Sequence, residues 1–254
     1  MSDKQVELQK ALLIERNFHM PITTVLFDLD GTLVPMDQDV FVKDYFSRIA
    51  AKLAPHGYDP KKLVDTIWRG TEAMIRNDGG ITNEKAFWEV AVSVYGDKIV
   101  QDKQFFDEFY ETEFDKIKAV CGYDSAAAKI IYSLKERGYR VALATNPIFP
   151  ARATQWRIGW AGLKPEDFEL YTTYENSRFC KPNLDYYRDI LDQMNVKPEE
   201  CLMVGNDVGE DMIARRLGMK VFLLTDCLIN KHDEDISNYP HGGFDELSEY
   251  LKAL

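Results

Sequence analysis

Cysteine is scarce: four residues in 254, at Cys121, Cys180, Cys201 and Cys227, with no CxxC pair among them. That spacing excludes a zinc ribbon or a dithiol redox motif, and it reads as buried, reduced thiols in a cytoplasmic protein. Histidine is equally sparse, with His19, His56, His232 and His241 far apart in sequence, which argues against a dedicated His/Cys metal centre. No apolar run approaches the roughly 20 residues that span a bilayer. Net positive charge is missing too: the formal net charge is -11. An acidic surface repels a phosphodiester backbone, so neither nucleic acid nor an anionic membrane is an expected partner. There is no Walker A sequence, no GxGxxG, no GxSxG and no cysteine followed six residues later by arginine.

What is present is an ordinary globular balance, 45% hydrophobic and 29% charged, with enough chain for a large core and a second module. Residues 1–20 read as a short amphipathic N-terminal helix, with Val6, Leu8, Leu12 and Leu13 on one side, or as a leader. Apolar, β-branched runs predict strands at 22–27, 140–144, 168–173, 201–204 and 220–224. Runs such as CLMV and VFLL are nearly continuous, as in a parallel sheet buried on both faces. Helical periodicity predicts helices at 125–138, 183–194 and 244–254 between and after them. The alternation argues for a doubly wound, Rossmann-like α/β core.

Between about Pro35 and Val120 the alternation stops. VFVKDYFSRIAAKLA, PKKLVDTIWRGTEAMIRN, NEKAFWEVAVSVYG and DKQFFDEFYETEFDKIK read as about four amphipathic helices inserted after the first strand. Their aromatics (Phe41, Phe46, Trp68, Phe87, Trp88, Phe105 and Phe106) read as a local helical core before a ligand box, because aromatics dominate core burial. The loop Asn77-Asp78-Gly79-Gly80 reads as an interhelix turn first and as a substrate-facing tip second.

The chemistry gathers at strand ends. In the run FDLDGTL, Asp28 and Asp30 sit two residues apart, so in extended backbone they share a side. Two adjacent carboxylates repel and call for a cation, a shared proton or divided roles. Thr145 and Asn146 follow the second long strand. Lys181 precedes the helix at 183–194, where the helix dipole disfavours a lysine unless an anion is near. The last segment, Gly205-Asn206-Asp207-Val208-Gly209-Glu210-Asp211, follows CLMV. Taken singly, each is explained by a turn, a cap or a surface charge. Four in this order, each at a strand end or helix start, are not.

The ordered set FDLDGTL, ALATN, KP and VGNDVGED resembles the four motifs of the haloacid dehalogenase superfamily. The resemblance covers roughly residues 21–35 and 118–254, with residues 36–117 similar to a C1-type helical cap. It implies a magnesium-dependent phosphatase acting on a small phosphorylated metabolite, as a monomer or homodimer. Asp28 would be the nucleophile that forms an aspartyl-phosphate, and Asp30 the general acid and base. Thr145, Asn146 and Lys181 would bind the phosphoryl group. Mg²⁺ would be held by Asp28, the Asp30 carbonyl and an acidic group of the last motif. Dehalogenases of the superfamily have no acid at the position of Asp30, so its presence implies phosphate ester chemistry. The chain departs from the family pattern at Asn206, where an aspartate is usual. Asp207 then becomes the expected ligand, with Asn206 and Asp211 in or around the metal's shell. A phosphomutase, or a non-catalytic binding protein of the same fold, is the alternative. Hinges would fall near Val34–Asp37 and Val120–Tyr123.

Overall fold

The computed structural model describes residues 21–254, so the N-terminal helix or leader expected at 1–20 lies outside the described residues. Six strands form one parallel sheet: β1 (Thr24–Phe27), β2 (Arg140–Leu143), β3 (Leu170–Tyr171), β4 (Cys201–Gly205), β5 (Lys220–Leu224) and β6 (His241–Gly242), in the order β3-β2-β1-β4-β5-β6. This is the order of doubly wound sheets, and their ligands bind beyond the carboxyl ends of the strands, where the chain order reverses. Here the reversal falls at β1, between β2 and β4. Every residue of β1 and β4 is buried, which is why both read as unbroken apolar runs.

The expected strand at 168–173 shrinks to Leu170–Tyr171. The Thr172 N–H still reaches the Leu143 carbonyl of β2 at 3.1 Å, but its hydroxyl donates to the Thr145 carbonyl at 2.7 Å, and the Thr173 N–H leaves the ladder for Asn176 Oδ1 at 2.8 Å. β6 gave no sequence pattern because it has only two residues, one of them glycine.

The helical insertion after β1 is present and is more broken than its periodicity predicts. It consists of α1 (Gln38–Leu53), α2 (Pro60–Ile75), α3 (Asn83–Tyr95), α4 (Asp97–Gln101) and α5 (Lys103–Thr112). Local caps fix the starts of the first three: Asp37, Asp59 and Thr82 accept from the N–H groups of Val40, Lys62 and Lys85. α1 buries Phe41, Tyr45, Ile49 and Leu53 at a spacing of four, one stripe of an amphipathic helix. α2 and α3 pack so closely that a Cβ at Gly70 would lie 2.4 Å from the Phe87 ring. The run DKQFFDEFYETEFDKIK is not one helix. It ends at Thr112 and continues as a 3₁₀ segment, Phe114–Val120. The turn seats the fully buried Phe114 ring, stacked on Trp160 with centroids 5.7 Å apart and edge-on to Phe41 and Phe149.

The remaining helices are α6 (Ser125–Glu136), α7 (Ala151–Trp160), α8 (Leu184–Met194) and α9 (Phe244–Lys252). α7 was not expected from the sequence. Chain entry and exit of the insertion lie side by side: Met36 bridges Cys121, and the Gly122 N–H donates to the Pro35 carbonyl at 2.7 Å. The apolar core runs without a break from the sheet into the insertion through Phe41, Tyr45, Phe114 and Trp160. Among the described residues no helix is long and apolar enough to cross a membrane.

Candidate active site

Backbone bonds between strand ends set the site. The Asp28 N–H donates to the Val204 carbonyl at 2.9 Å, and the Ala144 N–H donates to the Phe27 carbonyl at 2.7 Å, so β1, β2 and β4 finish level. The chain then turns sharply. Leu33 and Val34 both donate to the Leu29 carbonyl, and Gly31 takes a positive φ of 82°. Glycine is needed there for space as well, since a Cβ would lie 2.3 Å from Asn206 Nδ2. Gly205 is required in the same way, because its Cβ would meet Asp211 Oδ2 at 2.1 Å.

The sequence-predicted residues converge. Asp28, Asp30, Thr145, Asn146, Asn206, Asp207 and Asp211 line one cavity, and Lys181 lies beneath it with 2% of its surface exposed. Lys181 Nζ donates to Asp28 Oδ1 at 2.8 Å and to Asp211 Oδ1 at 2.6 Å. Burial lowers its pKa, but Asp211 and Asp28 outweigh that and hold it well above the ordinary lysine value. The ammonium is therefore a fixed charge, and its position ahead of α8 is explained by the two carboxylates it meets.

Within the last motif the three candidates separate by their contacts. Asn206 is committed at both ends: its Oδ1 accepts from the Thr32 hydroxyl at 2.9 Å and its Nδ2 donates to the Cys227 carbonyl at 2.7 Å. Asp211 is committed too, one oxygen to Lys181 and the other to the Asp207 N–H at 3.0 Å. Asp207 caps its own turn with Oδ1, which accepts from Gly209 and Glu210, while Oδ2 has only the exposed Lys231 at 3.9 Å. Asp207 thus keeps an oxygen available at the cavity, whereas Asn206 and Asp211 hold the loop.

Four participants escaped the sequence reading. Arg157, fully buried on α7, pairs with Asp30 Oδ2 and lies over the Phe149 ring at 4.6 Å. Asp30 Oδ1 is shut off from solvent without a partner. Burial raises the Asp30 pKa, and Arg157 opposes that rise. Glu210 lines the cavity, accepts from Asn146 Nδ2 at 3.1 Å and is likewise raised by burial. Thr32 links motif to motif through Asn206 and also donates to Asp28 Oδ2 at 3.3 Å. Asn83, buried at the start of α3, donates to the carbonyls of Pro147 and Phe179 and so ties the insertion to the loops on either side of the site. Of these, Thr32, one turn of chain beyond Asp28, and Glu210, inside the last acidic segment, could have been found. Arg157 sits on a helix that gave no pattern.

The loop Asn77–Gly80 is not a substrate-facing tip. Gly79 packs against Phe179, and none of the four residues lines the cavity. The aromatics of the insertion divide differently from the expected local core. Phe41 and Phe106 are buried, and Phe105 stacks on His56, but Trp68 is 51% exposed at the cavity wall.

Five carboxyl groups (Asp28, Asp30, Asp207, Glu210 and Asp211) surround two buried cations, Lys181 and Arg157, so negative charge is in excess. Among the described residues no three His, Cys, Asp or Glu side chains form a ready-made metal cage. A hard cation held by one or two carboxylates, a carbonyl and water suits such a donor set.

Comparisons with known proteins bear on the family and the fold. A family model described as haloacid dehalogenase-like hydrolase matches residues 22–218. Over 240 residues the chain is 25% identical to Pyrophosphatase PpaX of Bacillus anthracis (strain CDC 684 / NRRL 3495), covering 92% of this chain and 97% of that one. Its fold is similar to a 2-haloacid dehalogenase of Pseudomonas syringae pv. tomato DC3000, at a TM-score of 0.63 and 18% identity over 91% of this chain and 99% of that one. A predicted phosphoglycolate phosphatase of Haemophilus somnus 129PT aligns at a TM-score of 0.55 and 19% identity, over 91% and 98% of the two chains. At these identities the likeness to the two structures is one of fold. The extent of the family match, however, decides the matter: this chain belongs to the haloacid dehalogenase-like hydrolase family.

Proposed function

We propose that the enzyme is a magnesium-dependent phosphatase that hydrolyses a small phosphate monoester through an aspartyl-phosphate on Asp28. One observation carries this reading: Lys181 holds Asp28 at 2.8 Å while Asp30, two residues on and lining the same cavity, is paired instead with Arg157. A carboxylate nucleophile and a carboxyl proton donor are thus separated by their partners.

In the first half-reaction an Asp28 oxygen attacks phosphorus, and the bond from phosphorus to the leaving oxygen breaks. Asp30 gives its proton to that oxygen, and its burial favours the protonated form required. In the second, water attacks the same phosphorus, Asp30 takes the water's proton, and the bond to Asp28 breaks to release phosphate. Lys181 neutralises the growing charge, while the Thr145 hydroxyl and Asn146 hold phosphoryl oxygens. The Thr145 backbone is set for this by two donors on its carbonyl, Thr172 at 2.7 Å and Tyr186 at 2.8 Å. Arg157 pairs with Asp30 Oδ2 and so fixes the position of the carboxyl group. Asp28, the Asp30 carbonyl and Asp207 would hold Mg²⁺, which supplies charge stabilisation to the phosphoryl oxygens.

The test is phosphate release from a panel of monoesters with Mg²⁺, run beside Asp28→Asn. The variant should lose about 10⁵-fold or more in turnover, since no neighbouring group can replace the nucleophile. Activity that survives in the variant removes Asp28 from that role. Isomer formation without free phosphate would make the enzyme a mutase, and silence on every ester would favour a binding protein.

A further inference from the structure

The walls around the proposed phosphoryl site differ sharply in chemistry. The cavity, of about 220 Å³, takes its charged groups from the strand ends, while the insertion contributes Phe41, Val42, Trp68 and Ile75 beside Gln38 and Thr71. A second cavity of about 90 Å³ adjoins it, and Val42, Trp68, Thr71, Ile148 and Phe149 line both. Its further walls are mainly aromatic, with Phe46, Phe87, Trp88 and Tyr174 among them. The one charged side chain there is Asp107, and among the described residues no lysine, arginine or histidine lines either cavity. Lys181 and Arg157, the two buried cations nearby, are already engaged by Asp28, Asp211 and Asp30, and the exposed Lys231, 3.9 Å from Asp207, lines neither cavity.

A substrate with a second phosphoryl group or a carboxylate on its leaving side would meet no cation there and would face Asp107. An apolar group would meet a surface of the kind that binds small ligands by burial. Trp68 supports this independently: the indole is 51% exposed, lies 5.2 Å from the Phe46 ring and stands on the wall common to both cavities. Ile75, also on α2, is 49% exposed at the same site.

We propose that the substrate's leaving group is an uncharged, largely apolar alcohol of about ring size, seated against Trp68 and Phe149. This rests on the phosphatase reading above and narrows it. It sets the chain apart from the pyrophosphate named for its relative and from short phosphorylated acids.

Two measurements on the full chain with Mg²⁺ test it. The first compares 2-phenylethyl phosphate with propyl phosphate, whose aliphatic alcohols leave with similar ease, and with pyrophosphate and phosphoglycolate. The phenyl ester should have a kcat/KM about 10- to 100-fold above that of propyl phosphate, mainly through KM, as burial of one ring predicts. Trp68→Ala should cut that ratio about tenfold. Equal rates for the two esters, or a preference for pyrophosphate or phosphoglycolate, overturn the proposal and leave the phosphatase reading standing. The second measures binding without turnover, by calorimetry of 3-phenylpropylphosphonate against propylphosphonate. Tighter binding of the ring compound supports the aromatic seat even if no ester is hydrolysed, an outcome that would sink only the phosphatase reading. Equal affinities overturn the proposal whatever the kinetics show.

Discussion

The strand ends and the helical insertion face each other across one cavity and contribute unlike chemistry. From β1, β2 and β4 come Asp28, Thr145 and Asp207, each fixed by buried hydrogen bonds within the sheet or its loops. From α1 and α2 come Phe41, Val42, Trp68 and Ile75, fixed by packing alone. A charge must be held to within a fraction of an ångström to act on a transition state, and a network of short bonds does that. An apolar wall has no such demand, so its shape can vary without disturbing the reaction. The division teaches that the polar groups of the site and most of its apolar wall come from separate segments of this chain, with Ile148 and Phe149 of the core completing the wall.

Three substitutions probe that division, in order of expected effect. Lys181→Met should strike hardest, because it strands Asp28 and Asp211 in a buried site without their cation. A loss of about 3–5 kcal/mol in chemical denaturation is expected, with activity abolished. A stable, active Lys181→Met would show the core to be as tolerant as the insertion. Thr145→Ala should lower kcat by about 10²–10³-fold with little change in folding, as for removal of one donor to a charged transition state. An effect seen only in Tm would assign Thr145 to the turn. Asn83→Ala sharpens the comparison from the other side. The Pro147 and Phe179 carbonyls lose their donor, so a destabilisation of about 1–3 kcal/mol is expected. KM should rise while kcat changes less, because the insertion loosens over an intact strand-end site. A fall in kcat with KM unchanged would mean that Asn83 acts on the chemistry through Pro147.

Much of the core was legible because each strand is short, apolar and followed at once by polar groups. Residues 220–224 match β5 to the residue, and the paired acids after Phe27 announce the site without help from the rest of the chain. The insertion was legible as helices but not in its breaks. Periodicity carries through Glu113, and only the tertiary place of the Phe114 ring explains why the helix stops. Arg157 was invisible for a related reason. On α7 it is one basic residue among polar and aromatic neighbours, and its meaning lies wholly in Asp30, 127 positions away. The split among Asn206, Asp207 and Asp211 was also unreadable in sequence, because it depends on which oxygens Thr32, Lys181 and a backbone N–H have already taken.

The lacing of Pro35 to Gly122 and of Met36 to Cys121 has a consequence for how such a protein can change. The chain leaves the sheet and re-enters it at what is nearly a single point, as a plug meets a socket. Helices of another length or sequence could be spliced between those two residues while every strand kept its neighbours. Lineages that diverge by such splicing would inherit one reaction and acquire new specificities, and a chimera joined at these positions is the natural unit for engineering.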